Sequence, residues 1–186
     1  HLKMKTNKLI LVTVGGGGDG LYILQTFLKM LEKLGPNRVD FDSVMVTGPL
    51  MPKTHIKTLT KLKNSNFPLT LLEFTPDLFS LMNASDLIIS MGGYNSVCEI
   101  LSLCKKAIIV PRVKPRLEQF IRVQKLSQLG LMKMIHPEKL TPENLFSEIK
   151  STFNQKQFPT YQQVGLNLNG LENTSRAIKN LLTNKK

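Results

Sequence analysis

Short apolar, β-branched runs alternate with longer segments of helical period, and this alternation constrains the fold more than any other feature of the chain. The strand-like runs are Leu9–Val14, Ser43–Thr47, Leu69–Glu73, Leu87–Ser90, Ala107–Pro111 and Met132–Ile135. Between them, segments such as Leu21–Leu34, Ser96–Leu103 and Leu117–Leu129 place apolar residues three and four apart, as one face of a helix requires. Strands that alternate with helices build right-handed βαβ units and a parallel sheet covered on both faces. The runs are apolar almost throughout, as strands buried on both sides should be. The expected fold class is therefore α/β, a Rossmann-like doubly wound parallel sheet of about six strands.

A chain of 186 residues with 41% hydrophobic content has enough material for one ordered domain, but not comfortably for two. The expectation is a single domain over 1–186. Residues 1–8 would be a linker remnant, and 158–186 an irregular crossing segment followed by a C-terminal helix at Leu171–Leu182. Thr141-Pro142-Glu143 reads as a helix start, with Thr141 as the cap and Pro142 in the first position. No apolar run approaches the ~18–20 residues of a membrane span, and the start leads straight into a strand without a signal-peptide pattern. His1 without a preceding Met suggests a trimmed start. Cys98 and Cys104 are spaced onto different helix faces, so no disulfide is expected between them, and no Cys/His cluster has metal-ligand spacing. Both points fit a cytoplasmic location.

Three loops carry the chemistry. The first, Val14-Gly15-Gly16-Gly17-Gly18-Asp19-Gly20, joins a strand to a helix. Its glycines let the backbone approach an anion, toward which the next helix directs free N–H groups and the positive end of its dipole. A phosphate or diphosphate is the natural guest, although a tight turn alone would also use glycine. Gly15, Gly17 and Gly20 also satisfy the dinucleotide pattern G-x-G-x-x-G.

The second loop, Ser90-Met91-Gly92-Gly93-Tyr94-Asn95-Ser96, again leads from strand to helix, with Asn95 or Ser96 as the expected cap. Glu99 completes a capping-box pattern with Ser96, or else accepts the two hydroxyls of a ribose. The third segment, Pro111 to Gln119, includes Arg112, Glu118 and Gln119. Glu118 and Gln119 either complement a helix start and face water or orient sugar hydroxyls. In a doubly wound sheet, ligands bind where the strand order reverses, between the first and fourth strands. The first two loops flank that crevice, and the third lies beside it.

These residues resemble the C-terminal domain of the family 28 glycosyltransferases, the MurG-like group. Most of the likeness lies from Phe74-Thr75-Pro76-Asp77 to Gly130. It includes Ser85-Asp86-Leu87-Ile88-Ile89-Ser90, Gly93, Ser96, Glu99-Ile100, Pro111 and Glu118-Gln119, with Gly15–Gly20 similar to the family's diphosphate loop. The string Gly-Gly-Tyr-Asn before the Glu-Ile-Leu helix is closer still to predicted bacterial glycosyltransferases.

The resemblance implies one half of a GT-B fold that binds a nucleotide-diphosphate sugar, a UDP-sugar, without a metal or other cofactor. The backbone of Gly16, Gly17, Gly18, Asp19 and Gly20, with Asn95 and Ser96, would approach the phosphates, and Gly92 and Gly93 would belong to the same donor site. Backbone groups at Phe74 and Thr75 would face the base, Glu99 would hold the ribose, and Glu118 and Gln119 would meet the sugar, beside Arg112. The acceptor site and general base would belong to an N-terminal domain absent from this chain. No catalytic residue is therefore assigned, His55 and His136 included.

The alternatives share the fold or the charge. A sugar-nucleotide epimerase or hydrolase has the same architecture. A nicotinamide-dependent dehydrogenase would need a carboxylate at the tip of the second strand, where Thr47-Gly48-Pro49 stands. The net charge of +12 suits anionic partners, and leaves open a solvated lysine-rich surface or peripheral contact with the anionic inner face of a membrane. Aromatic content of only 6%, without tryptophan, argues against a nucleic-acid partner. Asp40-Phe41-Asp42 matches the metal-binding Asp-x-Asp of the other glycosyltransferase architecture. It precedes the second strand, on the edge opposite the crevice, and is read as a solvated turn.

Overall fold

The computed structural model describes residues 4–183. Six parallel strands, β1 (Leu9–Thr13), β2 (Asp42–Val46), β3 (Leu69–Leu72), β4 (Leu87–Ser90), β5 (Ala107–Ile109) and β6 (Lys133–Met134), form one sheet in the order β3-β2-β1-β4-β5-β6. The α-helices among the described residues are α1 (Leu21–Leu34), α2 (Lys53–Leu62), α3 (Leu78–Ala84), α4 (Tyr94–Ser102), α5 (Glu118–Gln128), α6 (Pro142–Asn154) and α7 (Gly170–Thr183). The chain reverses direction across the sheet between β1 and β4, which are paired from Ile10–Leu87 to Thr13–Ser90.

Alternate residues of each strand feed two separate cores. Ile10 and Val12 of β1, Leu87 and Ile89 of β4, and Ile108 of β5 face the layer of α1, α2 and α6. Leu9, Leu11, Ile88, Ala107 and Ile109 face the layer of α3, α4 and α5. This two-sided burial explains why β1, β4 and β5 are apolar up to their ends, where Thr13 and Ser90 stand.

Two expectations need correction. Asp40-Phe41-Asp42 is not a solvated turn. Phe41 is 1% exposed and packs against Phe27 in the core. Asp42 is 7% exposed and opens β2. Its carboxylate accepts hydrogen bonds from the N–H groups of Lys5 and Thr6 and from the Thr6 hydroxyl at 2.6–3.1 Å, which ties the segment before β1 to the sheet. His1–Lys3, the rest of the expected linker remnant, lie outside the described residues, as do 184–186.

The segment after residue 158 carries no helix or strand before α7, and it is anchored by apolar side chains. Phe158 is buried, and Val164, Leu166 and Leu168 pack on the core beneath α4 and α5. The second correction concerns α4. It begins at Tyr94 with Gly93 as its cap, so neither Asn95 nor Ser96 caps it and the Ser96–Glu99 capping box does not form. By contrast, Thr141 caps α6 as expected, its hydroxyl accepting from the Asn144 N–H at 3.1 Å. Both cysteines are free.

Candidate functional site

A cleft of about 390 Å³ opens at the C-terminal ends of β1, β4 and β5, at the point where the strand order reverses. Parallel strands present their loops there, and flanking helices begin there with unpaired N–H groups. The glycine loop between β1 and α1 forms one wall. Gly17 donates to the Val14 carbonyl at 3.2 Å and has φ +92°, a left-handed conformation that favours glycine. A β-carbon on Gly20 would stand 2.3 Å from the Val14 side chain, so the end of the loop is packed tight.

The connection after β2 braces this loop from behind. Leu50 N–H donates to the Gly16 carbonyl at 2.7 Å, and the Leu50 side chain, 72% exposed, lies against Gly16 on the rim. Gly18 differs from its neighbours. A β-carbon there would meet nothing within 4 Å, and its φ is not positive. The fold itself has no steric need for glycine at position 18, which is on the cleft wall.

The opposite wall comes from the β4–α4 loop. Ser90 and Met91 lead to Gly92, whose added β-carbon would lie 2.7 Å from Ile109 Cγ2 and 2.8 Å from Val123 Cγ2. Gly92 is thus a packing glycine beneath the wall. Gly93 and Ser96 are on the surface of the cleft. The first bond of α4 runs from Val97 N–H to the Gly93 carbonyl at 3.0 Å, which leaves the N–H groups of Tyr94, Asn95 and Ser96 outside the helical ladder. They form the positive end of the α4 dipole beside the glycine loop.

The segment after β5 closes the third side. Gln119 Oε1 accepts from the Arg112 N–H at 3.1 Å, fixing the loop onto the start of α5. The Arg112 side chain reaches across to the first loop, where Nη1 meets Asp19 Oδ2 at 2.9 Å. Its Nε is buried without a partner among the described residues. Among the described residues, Asp19 and Arg112 are the fully charged ones that line the cleft. They also border a shallower hollow that includes Tyr22 and Lys114. Burial, followed by the nearby Asp19 carboxylate, pushes the Tyr22 hydroxyl up to about 12, against a smaller opposing effect from Arg112.

The structure therefore brings Gly16, Gly17, Gly18, Asp19, Gly93, Ser96, Arg112 and Gln119 to one cleft. Gly20 and Gly92 shape the wall from behind. Phe74 and Thr75 follow β3. Phe74 is 62% exposed, and the Thr75 hydroxyl accepts from the Asp77 N–H in a local turn. Glu99 is partly buried on α4, one turn beyond Ser96 and outside the cleft lining; Asn95 is exposed near the start of that helix. Glu118 is outside the cleft lining and paired with Arg122, whose guanidinium also lies 5.3 Å from the Tyr94 ring centroid.

Leu50 lines the cleft without having been expected there, whereas Ser90 and Met91 belong to the loop expected to flank it. The Gly48-Pro49 pair after the second strand was the available signal for Leu50. A β-carbon on Gly48 would stand 2.2 Å from the Gly15 carbonyl oxygen, so this turn packs directly on the glycine loop. The same packing occupies the place where a dehydrogenase would carry its ribose-binding carboxylate.

The chain is 28% identical over 153 residues to an UDP-N-acetylglucosamine--N-acetylmuramyl-(pentapeptide) pyrophosphoryl-undecaprenol N-acetylglucosamine transferase of Alkaliphilus metalliredigens, a match that covers 82% of this chain and 41% of that protein. It thus spans about two-fifths of the length of that relative. Among solved structures it is similar to MurG of Acinetobacter baumannii, with a TM-score of 0.75 and 20% identity over 95% of this chain and 50% of the other. It also shares its fold with an UDP-GlcNAc 2-epimerase of Neisseria meningitidis bound to UDP-GlcNAc, with a TM-score of 0.60 and 19% identity over 98% of this chain and 46% of that one. The family described as Glycosyltransferase family 28 C-terminal domain matches residues 9–179, from the first residue of β1 into α7. With that match extending across all six strands and the loops that enclose the cleft, the chain belongs to the glycosyltransferase family 28 C-terminal domain family.

Proposed function

We propose that this domain binds the UDP-sugar donor of a glycosyltransferase, in the cleft between the glycine loop and the start of α4. The observation that carries this reading is the convergence of an open glycine loop, the unpaired N–H groups of α4 and the Arg112–Gln119 segment at the reversal of strand order. Backbone donors and helix dipoles fixed in place suit the diphosphate, whose charge grows as the sugar departs. This stabilisation would act without a metal. Glu99, one turn along α4, would hold the ribose, and the loop at Phe74–Thr75 would meet the base. Gln119, on the cleft wall, is the better placed of the expected sugar contacts, because Glu118 is engaged by Arg122. The acceptor and the general base would come from a separate domain or subunit. The protein would work in the cytoplasm, at the membrane face or away from it; no described helix is long and apolar enough to cross a membrane.

Family membership favours sugar transfer over epimerisation. Likeness to the epimerase is a likeness of fold, and binding of UDP alone would fit either reading.

Calorimetry or thermal shift with UDP, ADP, GDP and NAD tests the reading directly. UDP should bind selectively and, at ~100 times its dissociation constant, stabilise the fold by roughly 2.7 kcal/mol. Glu99→Ala should weaken that binding. A folded sample that binds none of the four would overturn the proposal, and selective NAD binding would replace it with a dinucleotide site.

A further inference from the structure

The Asp19–Arg112 pair poses an electrostatic problem for the donor-site reading, on which this inference rests. A multiply charged diphosphate would enter a cleft whose two full charges cancel. Backbone N–H groups and helix dipoles supply only partial charges. The carboxylate of Asp19 would also repel the ligand while occupying the guanidinium best able to receive it.

The geometry favours movement of one partner over the other. The backbone of Arg112 is tethered by Gln119, at 3.1 Å. Asp19 lies between two glycines, and the Gly18 side of it is open. The Asp19 side chain is half exposed, at 50%, whereas that of Arg112 is 35% exposed. Arg112 makes one side-chain hydrogen bond among the described residues, to Asp19, and its Nε is buried without an acceptor. A guanidinium has five N–H donors arranged to match carboxylate or phosphate oxygens.

We propose that Asp19 is an internal stand-in for the ligand anion, and that a nucleoside diphosphate displaces it from Arg112, which then becomes the cation holding the diphosphate. The exchange changes the sum of the two contacts a diphosphate meets from neutral to positive. It adds a charged side-chain contact to a site otherwise built from backbone groups. It also makes Asp19 a competitor of the ligand, so that removing its charge helps binding.

That last consequence separates displacement from a simple strut between loops, because the two variants should act in opposite directions. Binding of UDP would be measured by calorimetry on the whole chain, with thermal unfolding confirming that each variant is folded. Arg112→Gln should weaken UDP by about tenfold or more, as expected for loss of a charge-assisted hydrogen bond. Arg112→Lys, which keeps the charge but loses the fork, should recover part of that loss. Asp19→Asn should tighten UDP severalfold. If Asp19→Asn weakens UDP as Arg112→Gln does, the pair is a strut and the proposal fails. If Arg112→Gln leaves UDP unchanged, Arg112 does not hold the diphosphate and the proposal fails, while the donor-site reading survives. Failure of the unaltered, folded protein to bind UDP would remove both.

Discussion

Gly17 is packed against the Thr47 carbonyl: a β-carbon on Gly17 would stand 2.1 Å from that oxygen, a distance at which backbone must shift. The contact joins the glycine loop to the end of β2, and φ at Gly17 is +92°. Gly17→Ala therefore meets a backbone clash and an unfavourable φ together. It should destabilise the protein by about 2 kcal/mol or more, since strained backbone positions cost about 1–3 kcal/mol before any clash is added. A urea melt followed by circular dichroism would show a lower midpoint with an unchanged slope.

Gly18→Ala should behave in the opposite way. Nothing lies within 4 Å of a β-carbon at position 18, and its φ is not positive. The folded state can accept the methyl, and the unfolded chain loses some freedom, so stability should hold or rise by about 0.4–1 kcal/mol. The methyl would nevertheless project from the wall of the cleft, where we place the diphosphate. Loss of UDP binding by a variant at least as stable as the parent is the expected result. Unchanged UDP affinity would move the phosphates elsewhere.

The contrast between these glycines shows where sequence reading reaches its limit. The run Gly15–Gly18 announces a turn that admits close approach, but it does not say which approach comes from protein and which from ligand. Strand positions were legible because apolar runs such as Leu9–Thr13 and Leu87–Ser90 must be buried on both faces. Helix α2 was less legible. Only Leu59 is buried in Lys53–Leu62, so its apolar signal is weak. The start of α4 was misplaced for a different reason. Ser96 and Glu99 have capping-box spacing, but Gly93 takes the cap and the first turn begins earlier, at Tyr94. Asp42 was misread because local sequence cannot reveal that the N–H groups of Lys5 and Thr6, more than 30 residues earlier, satisfy its carboxylate. The Arg112–Asp19 bridge spans 93 residues and had no sequence signal either.

Tyr22 offers an optical probe of the site. Its hydroxyl is pushed up to about 12 from an ordinary value near 10, first by burial and then by Asp19. Between those values the folded state retains a proton that the unfolded state has released. Tyr22 therefore makes stability fall as pH rises through that interval. Ultraviolet titration should show a late phenolate step that disappears in Tyr22→Phe. Asp19→Asn should move this step to lower pH, because it removes one of the causes that raises it.

A last variant separates stability from the site. Lys106 precedes β5, at the end of the sheet opposite the cleft. Its Nζ donates to the carbonyls of Thr152 at 3.2 Å, Phe153 at 3.5 Å and Gln155 at 2.6 Å, where α6 ends. The last carbonyls of a helix lack intrahelical donors and form the negative end of its dipole, so the ammonium stabilises them on both counts. Lys106→Met keeps most of the apolar stem and removes the charge and the donors. It should cost about 1–3 kcal/mol, the range for losing hydrogen bonds to a charged group when carbonyls are left partly shielded. The urea midpoint should fall while UDP affinity at a temperature well below unfolding stays within about twofold, since the substitution touches no cleft residue. A fall in UDP affinity without a fall in stability would instead show that the end of α6 is coupled to the cleft through β5.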